Sequence, residues 1–125
     1  MNNSPAKPTT QLDNKFVRVT KWFFPPNSET GMHIHEMDYV VVPMTSGVLT
    51  IENPDKTFSK SDLTKGESYS RNKGVHHNVI NKNDFNFTYK SKAWKSIRTY
   101  NRSDKYANII IDLRNEIARN IFLLD

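Results

Sequence analysis

The chain has 125 residues, 36% of them hydrophobic, a net charge of +5 and no cysteine. That length is one domain's worth, enough to bury about two-thirds of its unfolded surface around a single core. The missing cysteine excludes disulfide staples, thiolate zinc sites and a cysteine nucleophile, and no run reaches the roughly 18 apolar residues that a membrane-spanning helix needs.

Residues 1–14 (MNNSPAKPTTQLDN) are polar and Pro-bearing, without the apolar stretch of a signal peptide, and are expected to form a disordered leader. No signal and no cysteine together point to a cytoplasmic location. From Phe16 to Phe24 the run FVRVTKWFF is β-branched and aromatic, which predicts a strand. Pro25-Pro26-Asn27-Ser28 ends it in a turn, with Asn27 able to take a left-handed backbone. Residues 30–35 form a short extended run. Tyr39–Val42 is a compact apolar strand, expected to be buried on both faces, and Val48–Glu52 is the next strand after the Ser46-Gly47 turn. Asn53-Pro54-Asp55-Lys56 reads as a type I turn with Pro at its second position. Further short strands follow at Thr57–Ser59, Glu67–Ser70, His77–Ile80 and Phe85–Tyr89, with turns at Lys65-Gly66, Lys73-Gly74 and Asn81–Asp84. Short strands with turn signals every eight to twelve residues define an all-β sandwich or barrel.

After Tyr89 the character changes. Lys90–Arg102 is basic and lacks alternation. From Ser103, a candidate N-cap, apolar residues at Tyr106, Ile109, Ile110, Leu113, Ile117 and Ile121 share one helical face. The expected organisation is thus a leader over 1–14, a barrel over 15–89, and a basic linker with an amphipathic C-terminal helix over 90–125. Residues 1–87 carry ten Lys+Arg against nine Asp+Glu, whereas residues 88–125 carry eight against four. Lys90, Lys92, Lys95, Arg98 and Arg102, interleaved with Trp94 and Tyr100, have the make-up to track phosphates and stack on bases. A solvated basic face accounts for them more simply, and nucleic acid is not an expected partner. Trp22 is read as packing inside the barrel and Trp94 as packing under the tail.

All four histidines fall in two places, His33 and His35 in GMHIHEMDY, and His76 and His77 in GESYSRNKGVHHNVIN. In an extended segment side chains alternate, so His33 and His35 share a face. A third imidazole from another strand would close a three-nitrogen metal site. By the same parity Tyr39 joins the histidine face, while Glu36 and Asp38 point away unless a bulge re-aims them.

These two stretches resemble the paired motifs of the cupins, β-barrel proteins of jelly-roll type. The first motif is a Gly, five residues, His-x-His, three or four residues, Glu, six residues and Gly. Here His33, His35 and the closing Gly47 match, Asn27 stands for the opening Gly, and Tyr39 or Val40 replaces the Glu. The second is a Gly, five residues, Pro-x-Gly, two residues, His, three residues and Asn. Gly66, Gly74, His77 and Asn81 match it at the right spacing, with Asn72 in the Pro place. The run from Arg18 to Gly47 also resembles a subgroup of short bacterial cupins, some of them labelled as β-alanine degradation proteins. The likeness covers about residues 16–88; residues 89–125 depart from the usual close of such a domain, a strand rich in Glu and Ile.

The resemblance implies an all-β jelly-roll barrel with a C-terminal helical extension. It implies a divalent metal ion (Fe, Mn, Zn or Ni) on His33, His35 and His77, with His76 turned outward. Tyr39 is the candidate catalytic residue, as a pocket wall or hydrogen-bond donor rather than a phenolate ligand. With no carboxylate ligand the ion keeps its full double charge, which favours a small anionic substrate and oxygenase, lyase or isomerase chemistry. The rival reading is a non-catalytic ligand- or metal-binding cupin. Exposed edge strands and the apolar helix face point to a homodimer.

Overall fold

The structure, a computed structural model, describes residues 3–95. The linker beyond Lys95 and the helix expected from Ser103 lie outside the described residues. Within them the chain forms eleven strands and no helix: β1 (Ser4–Pro5), β2 (Lys7–Asp13), β3 (Val17–Phe24), β4 (Ser28–Glu29), β5 (His33–Ile34), β6 (Tyr39–Pro43), β7 (Gly47–Glu52), β8 (Phe58–Leu63), β9 (Tyr69–Arg71), β10 (His76–Asn81) and β11 (Phe87–Trp94). One sheet runs β1-β4-β10-β7-β8 with β5 also on β10, and the other runs β2-β3-β11-β6-β9. Every pairing is antiparallel except that of β1 with β4. The two sheets close over a core of Phe24, Phe87, Leu49, Leu63, Val41 and Val79, the inward residues of alternating strands.

Three expectations are corrected. Residues 4–13 are strands rather than a disordered leader. Asn14 makes the turn, its Oδ1 accepting from the Phe16 and Val17 amides at 2.8 and 3.0 Å, and β2 folds back along β3. Pro8 is tolerated because β2 is an edge strand that has no ladder bond to lose on its open side. The strand at residues 39–43 is buried on one face only: Tyr39, Val41 and Pro43 point in while Val42 is exposed. The last strand also runs on through Lys90, Lys92 and Trp94 instead of yielding to a linker after Tyr89. It is paired throughout with β3 on one side and with β6 over Tyr89–Ala93 on the other.

The turn chemistry follows the sequence closely. Asn27 is left-handed, φ +59°, the conformation for which the related motif uses Gly. The Lys56 amide closes the expected turn on the Asn53 carbonyl at 3.0 Å. At Gly47 the reason is space, since a Cβ there would meet the Phe85 and Phe87 rings at 3.2 Å.

Candidate metal centre

The two histidine-bearing stretches are stitched together by their backbones. His33 stands opposite His77 in the β5–β10 ladder, where directly opposed Cβ atoms are about 4.5–5.5 Å apart. One step on, the His35 amide donates to the Val75 carbonyl at 2.9 Å and the Gly74 amide donates to the His35 carbonyl at 2.8 Å. Gly74 itself is left-handed, φ +100°, which turns the chain back into β10. Alternation then decides which side chains face in. His33, His35 and Tyr39 are at least half-buried, while Ile34, Glu36 and Asp38 are exposed. His76 is exposed as well, and His77 faces inward.

The result is a convergence of three imidazoles. His35 Nε2 lies 3.1 Å from His33 Nε2 and 3.2 Å from His77 Nε2, and the three rings stand roughly edge to face. With metal–nitrogen bonds of about 2.0–2.1 Å, ligands at right angles sit about 3.0 Å apart and ligands at the tetrahedral angle about 3.4 Å apart. The observed spacings lie between those limits, so the cluster could hold one divalent ion. The donor set suits it too, since neutral imidazoles bind Zn, Cu, Fe and Ni.

Protonation is arranged to match. His33 Nδ1 is 2.7 Å from the Gly31 carbonyl, which can only accept, so Nδ1 carries the proton and Nε2 presents its lone pair inward. Burial, and then the neighbouring His33, lower the pKa of His35 to about 4. Burial, followed by His33 and His35, brings His77 to about 4 as well. At neutral pH these two rings are therefore uncharged and free to donate lone pairs.

The Gly31 carbonyl is in turn held from behind. Asn78, buried and beside His77 on β10, accepts the Gly31 amide on its Oδ1 at 2.8 Å, and its Nδ2 donates to Glu29 and Glu52 at 2.9 and 3.0 Å. This chain from Asn78 through Gly31 to His33 orients one ring of the cluster. It could not be read from sequence, because it depends on β10 lying between β4 and β7.

The histidines open on a cavity of about 110 Å³ between the sheets, lined also by Tyr39, Tyr69, Tyr89, Trp22 and Ser91. Trp22, expected as plain packing, is a cavity wall. Tyr39 lies flat on His35, with ring centroids 4.0 Å apart. Burial pushes its phenol up to about 12, so it is a hydrogen-bond donor at neutral pH. Neither Glu36 nor Asp38 joins the cluster; Asp38 Oδ1 instead accepts the Lys73 amide at 2.8 Å. Among the described residues no carboxylate stands with the three histidines.

The basic stretch is divided differently from the sequence expectation. Lys92 lies over the Trp94 ring at 5.3 Å, and Lys95 is paired with Asp13. Arg98, Tyr100 and Arg102 lie outside the described residues.

No protein-family model matches the chain. Among curated proteins, it is 51% identical over 76 residues to the β-alanine degradation protein BauB of Pseudomonas aeruginosa, a match covering 61% of this chain and 79% of that protein. Among solved structures, a cupin domain from Bordetella pertussis is 52% identical, with a TM-score of 0.73 and coverage of 76% of this chain and 98% of that one. The fold alone is shared with the polyketide cyclase RemF of Streptomyces resistomycificus, at 17% identity and a TM-score of 0.56 over 76% of this chain and 70% of that one. With the strand order, the two motifs and these relatives in agreement, the chain belongs to the cupin family.

Proposed function

We propose that this cupin binds a divalent metal ion on His33, His35 and His77 and acts on a small organic acid in the cavity beside them. The observation that carries the reading is the approach of three inward Nε2 atoms, at 3.1 and 3.2 Å, with burial holding His35 and His77 neutral. With their protons on Nδ1, three lone pairs crowded this closely would repel one another, and a cation at their meeting point would turn that repulsion into bonding. An ion held there would supply Lewis-acid polarisation or redox chemistry. The chain's own part is to hold the rings, through the Gly31 carbonyl and Asn78, and to keep water out with the Val41, Leu49 and Val79 walls. Tyr39 offers a proton-bearing hydroxyl to an oxygen of the substrate. The curated relative is named for the degradation of β-alanine, which is itself a short carboxylate and supports that substrate class. Absence of cysteine supports action in the cytoplasm.

The second reading is a binding cupin without turnover, favoured by the lack of a carboxylate beside the histidines and of an evident acid/base pair among the described residues. Incubating the protein with short carboxylic acids and Fe(II), Mn(II) or Zn(II), with product analysis, separates the two. Turnover that disappears in His77→Ala supports the enzyme; saturable binding of the acid with no product removes it.

A further inference from the structure

An exposed cation, Arg71, stands against Tyr69, one of the residues that wall this cavity. Tyr69 lines the cavity from β9, and the two-residue period of a strand puts Arg71 on the same face. Arg71 is also the register partner of Tyr39 across the β6–β9 ladder, and Tyr39 lies flat on His35. Arg71 itself is exposed, on the strand beside the one whose Tyr39 ring packs on the cluster. The guanidinium rests over the Tyr69 ring, 4.5 Å from its centroid, and Nη1 donates to the Ser70 carbonyl at 2.8 Å. Among the described residues that is the one hydrogen bond it makes, out of five N–H donors. Among the described residues no carboxylate pairs with it, since the ion pairs there join Asp13 to Arg18 and Lys95. Deeper in, the Tyr39 hydroxyl, on a residue only 4% exposed, has no hydrogen-bond partner among the described residues. A buried donor without an acceptor is costly unless a ligand or water completes it.

We propose that Arg71 is the anion-recognition residue of this site. Its guanidinium takes the carboxylate of a short organic acid whose other, oxygen-bearing end enters the cavity beside the histidines and the Tyr39 hydroxyl. The cavity is small, about 110 Å³, which suits an acid with a skeleton of a few carbons. An arginine laid against an aromatic ring is already oriented, so little freedom is lost when it forks onto a carboxylate. The inference deepens the reading given above and rests on it only for the placement of the far end of the ligand.

The test uses 3-hydroxypropanoate and its neutral analogue 3-hydroxypropanamide as probes. Both are titrated by NMR into the ¹⁵N-labelled full chain, metal-free and loaded with Zn(II), with Zn(II) affinity measured separately. The wild type is expected to bind the acid about tenfold more tightly than the amide, a factor equal to ~1.4 kcal/mol. Arg71→Gln should bring the acid down to the level of the amide while leaving Zn(II) affinity unchanged, and Arg71→Lys should recover part of the preference. His77→Ala should lose Zn(II) yet keep the preference that its metal-free form shows. An acid preference that survives Arg71→Gln, or its absence from the wild type in both forms, overturns the proposal. Failure of the wild type to bind Zn(II) counts against the metal reading alone, because the preference is also read without metal.

Discussion

The imidazole of His35 lies on the phenol ring of Tyr39, with centroids 4.0 Å apart and planes 16° from parallel. The contact places a hydroxyl donor next to the histidine cluster and fixes the ring whose Nε2 approaches both of the others. Tyr39→Phe keeps the stack and removes the donor. It should retain metal affinity and weaken binding of a short carboxylic acid about fivefold, the usual worth of one hydrogen bond. Tyr39→Ala removes the ring and should lower unfolding stability by about 3 kcal/mol. Metal titration, ligand titration and urea unfolding of both variants check these outcomes.

Asn81 closes the opposite end of β10. It is fully buried, and its Nδ2 reaches the carbonyls of Phe24, Pro25 and Phe85 at 3.0, 3.2 and 2.9 Å. Its Oδ1 accepts from the Asn83 amide at 2.9 Å. The motif's asparagine is thus a clamp between turns. Asn81→Ala should destabilise the fold by about 3 kcal/mol through several buried groups left unpaired. Asn81→Asp should cost more, because a carboxylate faces carbonyl oxygens and can donate nothing to them. Urea denaturation orders the two variants.

Much of this was legible in the sequence, for identifiable reasons. The spacing from Gly66 to Asn81 encodes a turn, a strand and a clamp that follow one another locally. The period of two separated His33, His35 and Tyr39 from Glu36 and Asp38 without knowledge of the sheet order. Asn27 was readable because few side chains tolerate its backbone conformation. What escaped notice lacks a local signal. β2 is exposed along its whole length, so no alternation marks it. In β11 the inward residues past Tyr89 are the small Ser91 and Ala93, which resemble a linker in composition. Asn78 and Arg71 gain their roles only from strands that neighbour them across the sheet.

Acid should weaken the metal-free protein. His35 and His77 have folded-state pKa values near 4, below the ordinary 6.5. Between those limits the unfolded chain binds more protons than the folded one, so stability falls as pH drops from 6.5 towards 4. Below 4 these two groups add nothing further. Urea midpoints measured from pH 7.5 to 4 should show this slope in the wild type and a shallower one in His77→Ala. Saturation with metal should raise the midpoint at pH 7.5, through a gain of about 2.7 kcal/mol in unfolding free energy at a free concentration of 100 times Kd.

The homodimer expected from edge strands has a definite candidate surface. Among the described residues β2 ends its sheet with every residue exposed, its own Leu12 included, and the exposed Phe16 follows it. Light scattering behind size-exclusion chromatography should give twice the 14.5 kDa chain mass. Leu12→Lys combined with Phe16→Lys should return the mass of one chain. A wild-type chain that runs alone at micromolar concentration rejects the dimer.

The central claim is that three rings, brought from positions 33, 35 and 77, share one ion. Elemental analysis of the protein purified without an affinity tag measures this most directly, beside His77→Ala prepared in the same way. The account predicts about one bound transition metal per chain in the wild type, and almost none in a variant whose circular dichroism still shows the β fold. Equal metal content in the two proteins, or none in the wild type even after incubation with Fe(II), Mn(II), Zn(II) and Ni(II), contradicts it.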